Sequence, residues 1–241
     1  MLGFRVEQLG DPAEAPILLA HRPGRGLHVA LSAHYDVEAG GGGWTLPPFR
    51  PSLHDDRLFG RGTADNLGPL LLRFQVLGEL DTDTPPLTWV IQGEEEIGSP
   101  LAHRLYPTLQ IPPVDLWIEE TGYFERSGRQ RMLLCRPDAA ARLVVESLTA
   151  VAEQHGRRVE IHDRVLNKAF GADRCPVLTH LVGDHPYLAI GPNDPDSRIH
   201  RPDESLPLAN LAIAWEQFAA AVRTASTVEG GHDGRYSLSL D

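Results

Sequence analysis

Residues 28–36 read HVALSAHYD. The stretch is short and apolar until its last residues, which is the pattern of a buried strand that ends in a histidine and an aspartate two positions apart. Working outward, residues 69–80 read as a helix, with Pro69 suited to the first turn and Leu70, Phe74 and Leu77 on one face. LTWVIQ at 87–92 and VDLWIE at 114–119 read as two further strands. Asp138 suits the N-cap of a helix whose apolar side carries Val144, Leu148 and Val151 and which ends at Gly156. VEIH from Val159 and YLAIG at 187–191 continue the strand series, and a last helix runs through Leu211, Trp215, Phe218 and Val222. Strands alternating with helices point to an α/β fold, a three-layer α/β/α arrangement around a central, mostly parallel mixed sheet. Folds of this kind bind ligands beyond the carboxyl ends of the strands.

The bulk properties narrow the class. A chain of 241 residues, 41% of them hydrophobic, supports one large core. Residues 1–225 therefore read as a single domain, and 226–241, rich in Gly, His and Ser, as a loose tail. The net charge of −11 is dispersed and no basic patch is interleaved with aromatics, which argues against a nucleic-acid partner. No apolar run approaches the length of a membrane span, and the first residues lack the apolar stretch of a signal peptide. Cys135 and Cys175 make no disulfide framework, so the expected location is the cytoplasm.

The candidate chemical groups are His34 with Asp36, Asp65, the run Glu94 to Glu96, Glu119 with Glu120, and His200. Apart from His200, which falls in the loop after YLAIG, each lies at or just beyond a strand end or at a helix start. Singly, each has a plain structural reading: a hydrogen-bonded histidine, a solvated acidic face, a turn at Asp65-Asn66. Jointly, imidazoles and carboxylates converging on one sheet edge are what a zinc pair needs, since zinc takes such nitrogen and oxygen ligands at roughly 2.0–2.2 Å. Two ions ~3.5–4 Å apart also need a shared carboxylate to screen their repulsion.

The order of these groups carries a resemblance. The stretch HYDVEAGGGGWTLPPFRPSLHDDRLFGRGTADNLG, from His34 to Gly68, resembles the signature of the aminoacylase, acetylornithine deacetylase, succinyl-diaminopimelate desuccinylase and glutamate carboxypeptidase family of co-catalytic zinc peptidases. Its pieces are His-x-Asp, Trp-x-x-Pro-Pro-Phe, and Leu-x-Gly-Arg-Gly followed by an aspartate. Downstream, GEEEIGS and RIHRPDES resemble the family's later motifs. The resemblance implies that His34 binds one zinc, with Asp36 orienting its ring from behind. It implies that Asp65 bridges two metals, that Glu95 is the general base, that Glu96 binds the second metal and that His200 completes that site. Two divalent ions follow, zinc in first place with cobalt or manganese also acceptable to such ligands. A cis peptide at Asp65–Asn66 is implied as well. The remaining ligand is a carboxylate about two dozen residues beyond the Glu pair. Glu120 lies 24 after Glu96 and is favoured, but Glu119 adjoins it and Thr121 stands where the family has proline.

The chain also departs from the family. Only 80 residues separate Glu120 from His200, too few for the lid or dimerisation domain of most relatives, and the helix and strands already assigned fill them. The expectation is a lidless monomer acting on a small peptide or N-acyl amino acid. The groups a lid would supply must then come from the rim, with Tyr123, Arg174, Arg198 and Arg201 as candidates. Leu67 replaces the family's lysine after the bridging acid. Two other readings share the same residues: a metal-binding homologue without activity, and an enzyme that forms a cyclic amide. The intact Glu95 speaks against the first, because a structural metal has no use for a base.

Overall fold

The computed structural model describes residues 2–80, 84–163 and 176–230. Its main sheet runs β1 (Arg5–Leu9), β2 (Ile17–Arg22), β6 (Leu87–Gln92), β3 (Val29–His34), β7 (Leu116–Glu119), β11 (Tyr187–Ala189), β9 (Gln130–Cys135) and β10 (Val159–Asp163), with β8 (Tyr123–Phe124) also pairing to β9. The central block β6-β3-β7-β11 is parallel, so its four carboxyl ends face one side. Antiparallel pairings flank it, β1-β2-β6 on one side and β11-β9 on the other. A second sheet of three short antiparallel strands, β12 (Ser205–Pro207), β5 (Arg57–Phe59) and β4 (Ser52–His54), stands beside it.

Alternation along the strands builds the layers. Val29, Leu31 and Ala33 of β3, Trp89 and Ile91 of β6, and Leu116 and Ile118 of β7 face one core. That core is covered by α1 (Leu67–Glu79), α3 (Ala139–Gln154) and the long C-terminal helix α5 (Leu208–Thr227). The residues between them, Ala30, Val90 and Trp117, face a second core under α2 (Pro100–Leu105) and α4 (Thr179–Val182). The two tryptophans, Trp89 and Trp117, have no exposed surface, one on each face of the sheet. Each contributes on the order of 2–3 kcal/mol of hydrophobic stabilisation and so pins the register of its strand. The α/β/α architecture is as expected from the alternation of elements.

Local signals hold where they carry a hydrogen bond. The Asp138 side chain accepts from the Ala141 amide at 2.7 Å and caps α3. Helix α1 begins at Leu67, with Pro69 in its first turn. The last helix extends to Thr227, slightly past the point where the tail was expected to start, and most of the expected tail, like Cys175 and Arg174, lies outside the described residues. Cys135 is buried. Among the described residues no helix is long and apolar enough to cross a membrane.

Candidate metal centre

His34 is the last residue of β3, in the middle of the parallel block. On one side β6 ends at Gln92 and a 3₁₀ turn, Glu95–Ile97, follows. On the other side β7 ends at Glu119, with Glu120 next, and beyond it the loop after β11 carries His200. Asp65 enters from the loop ahead of α1. The Asp65–Asn66 peptide is cis. All of these positions meet at the carboxyl edge of the sheet.

Asp65 is the hub. His34 Nε2 lies 3.1 Å from one of its carboxylate oxygens and His200 Nε2 lies 3.1 Å from the other. The Glu96 carboxylate is 2.9 Å from His200 Nε2, but without the alignment of a hydrogen bond, and among the described residues neither of its buried oxygens has a hydrogen-bond donor. Ligand atoms of His34, Asp65 and Glu96 fall within 4.8 Å of one another, as do those of Glu38, Glu96 and His200. Two imidazole nitrogens aimed at opposite oxygens of one carboxylate, beside a buried carboxylate lacking donors, suit a pair of divalent cations with nitrogen and oxygen ligands.

The electrostatics tell the same story. Burial alone would lower the pKa of His34, but hydrogen bonds to Asp36 and Asp65 and the nearby negative charge raise it to about 11. Burial, then the charge of Asp65, pushes Glu96 up to about 7 against the pull of both histidines. Glu95 is also raised, chiefly by burial, and it senses His34, Asp65, Asp36 and His200. Asp65 itself is held well below the usual carboxylate range, because its two histidine hydrogen bonds outweigh its burial. These are the marks of a half-buried pocket with more negative charge than its own groups neutralise.

Asp36 does more than stand behind His34. The His34 Nδ1 is 3.1 Å from the Asp36 main-chain oxygen and 3.3 Å from its carboxylate. The other carboxylate oxygen accepts the Glu96 amide at 2.9 Å, which ties the Glu95–Ile97 turn to β3. Glu119 and Glu120 diverge, as neighbours on a strand must. Glu119 accepts from the Thr121 amide at 3.0 Å, the Thr121 hydroxyl at 2.5 Å and the Tyr187 hydroxyl at 3.0 Å. Glu120 turns to the α1 side, where Arg73 lies 3.4 Å away, and it stands outside the close groups around Asp65. Both carboxyls are raised by burial.

Sequence reasoning missed the group that holds the centre in shape. Glu204 has no exposed surface. One of its oxygens accepts the amides of Ala64 and Asp65 at 2.9 and 3.1 Å. The other accepts Arg61 at 2.6 Å and the Gly62 amide at 3.2 Å. Gly62 has φ 81°, and a side chain there would meet Val37 at 2.6 Å, so the close approach requires glycine. The Arg61 guanidinium lies 5.2 Å from the centre of the Trp44 ring, and Asp203 accepts from the Thr45 amide and hydroxyl at 2.8 and 2.9 Å. The spacing of Trp44, the Gly60–Gly62 segment and Asp203-Glu204 was the available signal. Of the rim candidates, Arg198 is 3.6 Å from Asp203, Arg201 is exposed and Tyr123 pairs with Arg131.

Known proteins resemble the chain in sequence and in fold. The curated succinyl-diaminopimelate desuccinylase of Novosphingobium aromaticivorans is 33% identical over 116 residues, 46% of this chain and 30% of that protein. The chain thus spans less than a third of the length of the curated relatives it matches. The M20 family metallo-carboxypeptidase Sso-CP2 of Sulfolobus solfataricus superposes with a TM-score of 0.72 at 12% identity, covering 94% of this chain and 91% of that one. Human carnosine dipeptidase 1 gives 0.72 at 12% identity, covering 94% and 88%. At such identities these likenesses speak for the fold alone. The sequence profile of Peptidase family M20/M25/M40 matches residues 30–224, which include every group of the centre, and the chain belongs to that family.

Proposed function

We propose that the chain is a two-metal hydrolase that cleaves an amide bond in a small peptide or N-acyl amino acid. The observation that carries this reading is Asp65, with one histidine nitrogen 3.1 Å from each of its oxygens. In this reading Asp65 would be shared by two ions, with His34 and Glu120 holding one and Glu96 and His200 holding the other. Glu119 is already engaged by three donors, which supports Glu120 as the ligand. Zinc suits the nitrogen and oxygen donors, with cobalt or manganese as substitutes. When bound, such a pair polarises the scissile carbonyl and brings the pKa of the attacking water towards neutrality.

Glu95 is the base. As the base it would accept the proton of the attacking water and hand it to the leaving nitrogen as the C–N bond breaks. Asp36 keeps the Glu95–Ile97 turn in place through the Glu96 amide. The family and the name of the curated relative, a desuccinylase, support the class of bond.

The test is a panel of acylated amino acids and dipeptides, assayed with the metal-loaded protein and with Glu95→Gln. Turnover should fall by at least about a hundredfold in the variant, while metal content stays near that of the parent chain. A Glu95→Gln protein that keeps most of its activity would overturn the assignment of the base.

A further inference from the structure

The two proposed metal positions are not equivalent, and the difference lies in one side chain. Arg73, on the buried face of α1, is 5% exposed. Its guanidinium is 3.4 Å from a Glu120 oxygen and 5.5 Å from the centre of the Phe218 ring. Both charges line an otherwise largely apolar cleft of about 440 Å³, mouth included, walled by Pro69, Leu72, Ile118 and Phe218. Among the described residues Glu120 is the carboxylate at ion-pair distance from Arg73, while Glu119 senses the same charge from farther off. A guanidinium cannot shed its proton, so in such surroundings it depends on that carboxylate.

Among the described residues the opposite position has no arginine or lysine paired to its carboxylate. Both oxygens of Glu96 are buried without a donor among the described residues, and the ligand-bearing groups close to that carboxylate are His200, Asp65, His34 and Glu38. An ion there takes up unused acceptors. An ion between His34 and Glu120 must instead draw Glu120 from Arg73, or share it, and must lie close to an unneutralised guanidinium. Two cations drawing on one carboxylate in a poorly screened cleft oppose each other.

We infer that Arg73 competes with metal for Glu120, so that the Glu96–His200 position fills first and tightly while the His34–Glu120 position fills second and weakly. Arg73 is here a positioning residue that acts through Glu120. The inference rests on the two-metal reading above and concerns only the order and strength of filling.

The test is titration of metal-stripped protein with Zn²⁺ by calorimetry, repeated with Co²⁺ and read from its visible absorption. The parent chain should show two events of unequal affinity. Arg73→Met should tighten the weaker event by about tenfold or more and leave the stronger nearly unchanged. Arg73→Gln, which keeps a hydrogen-bond donor without the charge, should give a smaller gain in the same direction. It also serves if the methionine variant does not fold. Glu120→Gln should abolish the weak event, and adding Arg73→Met to it should then have no effect. Two equal events in the parent chain, or a weaker second event in both Arg73 variants, would overturn the inference and leave the two-metal reading standing. No uptake of either ion by any variant would overturn both.

Discussion

At the scale of single residues, the contact between Arg61 and Glu204 braces the loop that presents Asp65. Both side chains are buried, at 3% and 0% exposure, and Glu204 also receives three main-chain amides from the segment that presents Asp65. Removing one partner leaves the other as an uncompensated charge, which typically costs about 3–5 kcal/mol. Arg61→Leu should therefore destabilise the chain by roughly that amount, measured by urea unfolding. Glu204→Gln should cost less, because an amide oxygen still accepts some of the amides, yet it should loosen metal binding. An Arg61→Leu chain with unchanged stability would mean that the pair is better solvated than its burial indicates. The sequence carried this pair only as part of a motif. A Gly-Arg-Gly string and an Asp-Glu pair read alike in many loops, and only the fold brings residues 61 and 204 together.

At the scale of elements, the loop bearing His200 is latched to the small sheet. Arg57 of β5 grips Asp194 with two hydrogen bonds of 2.8 and 3.0 Å, and Ser197 adds a third at 2.9 Å. These bonds, against the opposing effect of burial, hold the Asp194 carboxyl below its ordinary value. A carboxyl depressed in the folded state contributes stability that is fully present above its unfolded value and is lost as pH falls through the folded one. Asp194→Asn should therefore cost about 1–2 kcal/mol at pH 7. The gap between variant and parent should close as the pH drops below about 4; a gap that is constant down to pH 3 would show that the charge is irrelevant. Legibility follows the same physical division. LTWVIQ matches β6 from Leu87 to Gln92 because a strand buried on both faces is a continuous apolar run. The strands of the small sheet, three residues each, are too short to show any period, and Gln130–Cys135 begins with polar residues whose burial depends on distant partners. Gln130, for instance, pairs with Gln217 of α5 at 2.9 and 2.7 Å. Spacing favoured Glu120 over the adjacent Glu119 without deciding between them, since what separates them is the layer each one faces.

At the scale of the whole molecule, the described residues between Glu120 and His200 extend the main sheet through β8, β9, β10 and β11 and add α3 and α4 to its faces. We expect a single domain and a monomer, with the centre open at the sheet edge. Sedimentation over a hundredfold range of concentration should give one species of constant mass; a stable dimer would count against the lidless monomer. The sheet order has a consequence for synthesis on the ribosome. Strand β3, buried on both faces, is flanked by β6 and β7, both of which follow it in the chain. Until Leu116–Glu119 has emerged, one edge of Val29–His34 has no native partner, and an unpaired apolar edge is a template for pairing with another chain. His200 and Glu204 arrive later still, so a nascent chain halted before them carries His34 and Asp65 without the groups that hold them in register. Such arrested fragments should collect in the insoluble fraction and engage chaperones, and a fragment ending just before β7 should aggregate far more than one that runs through α5.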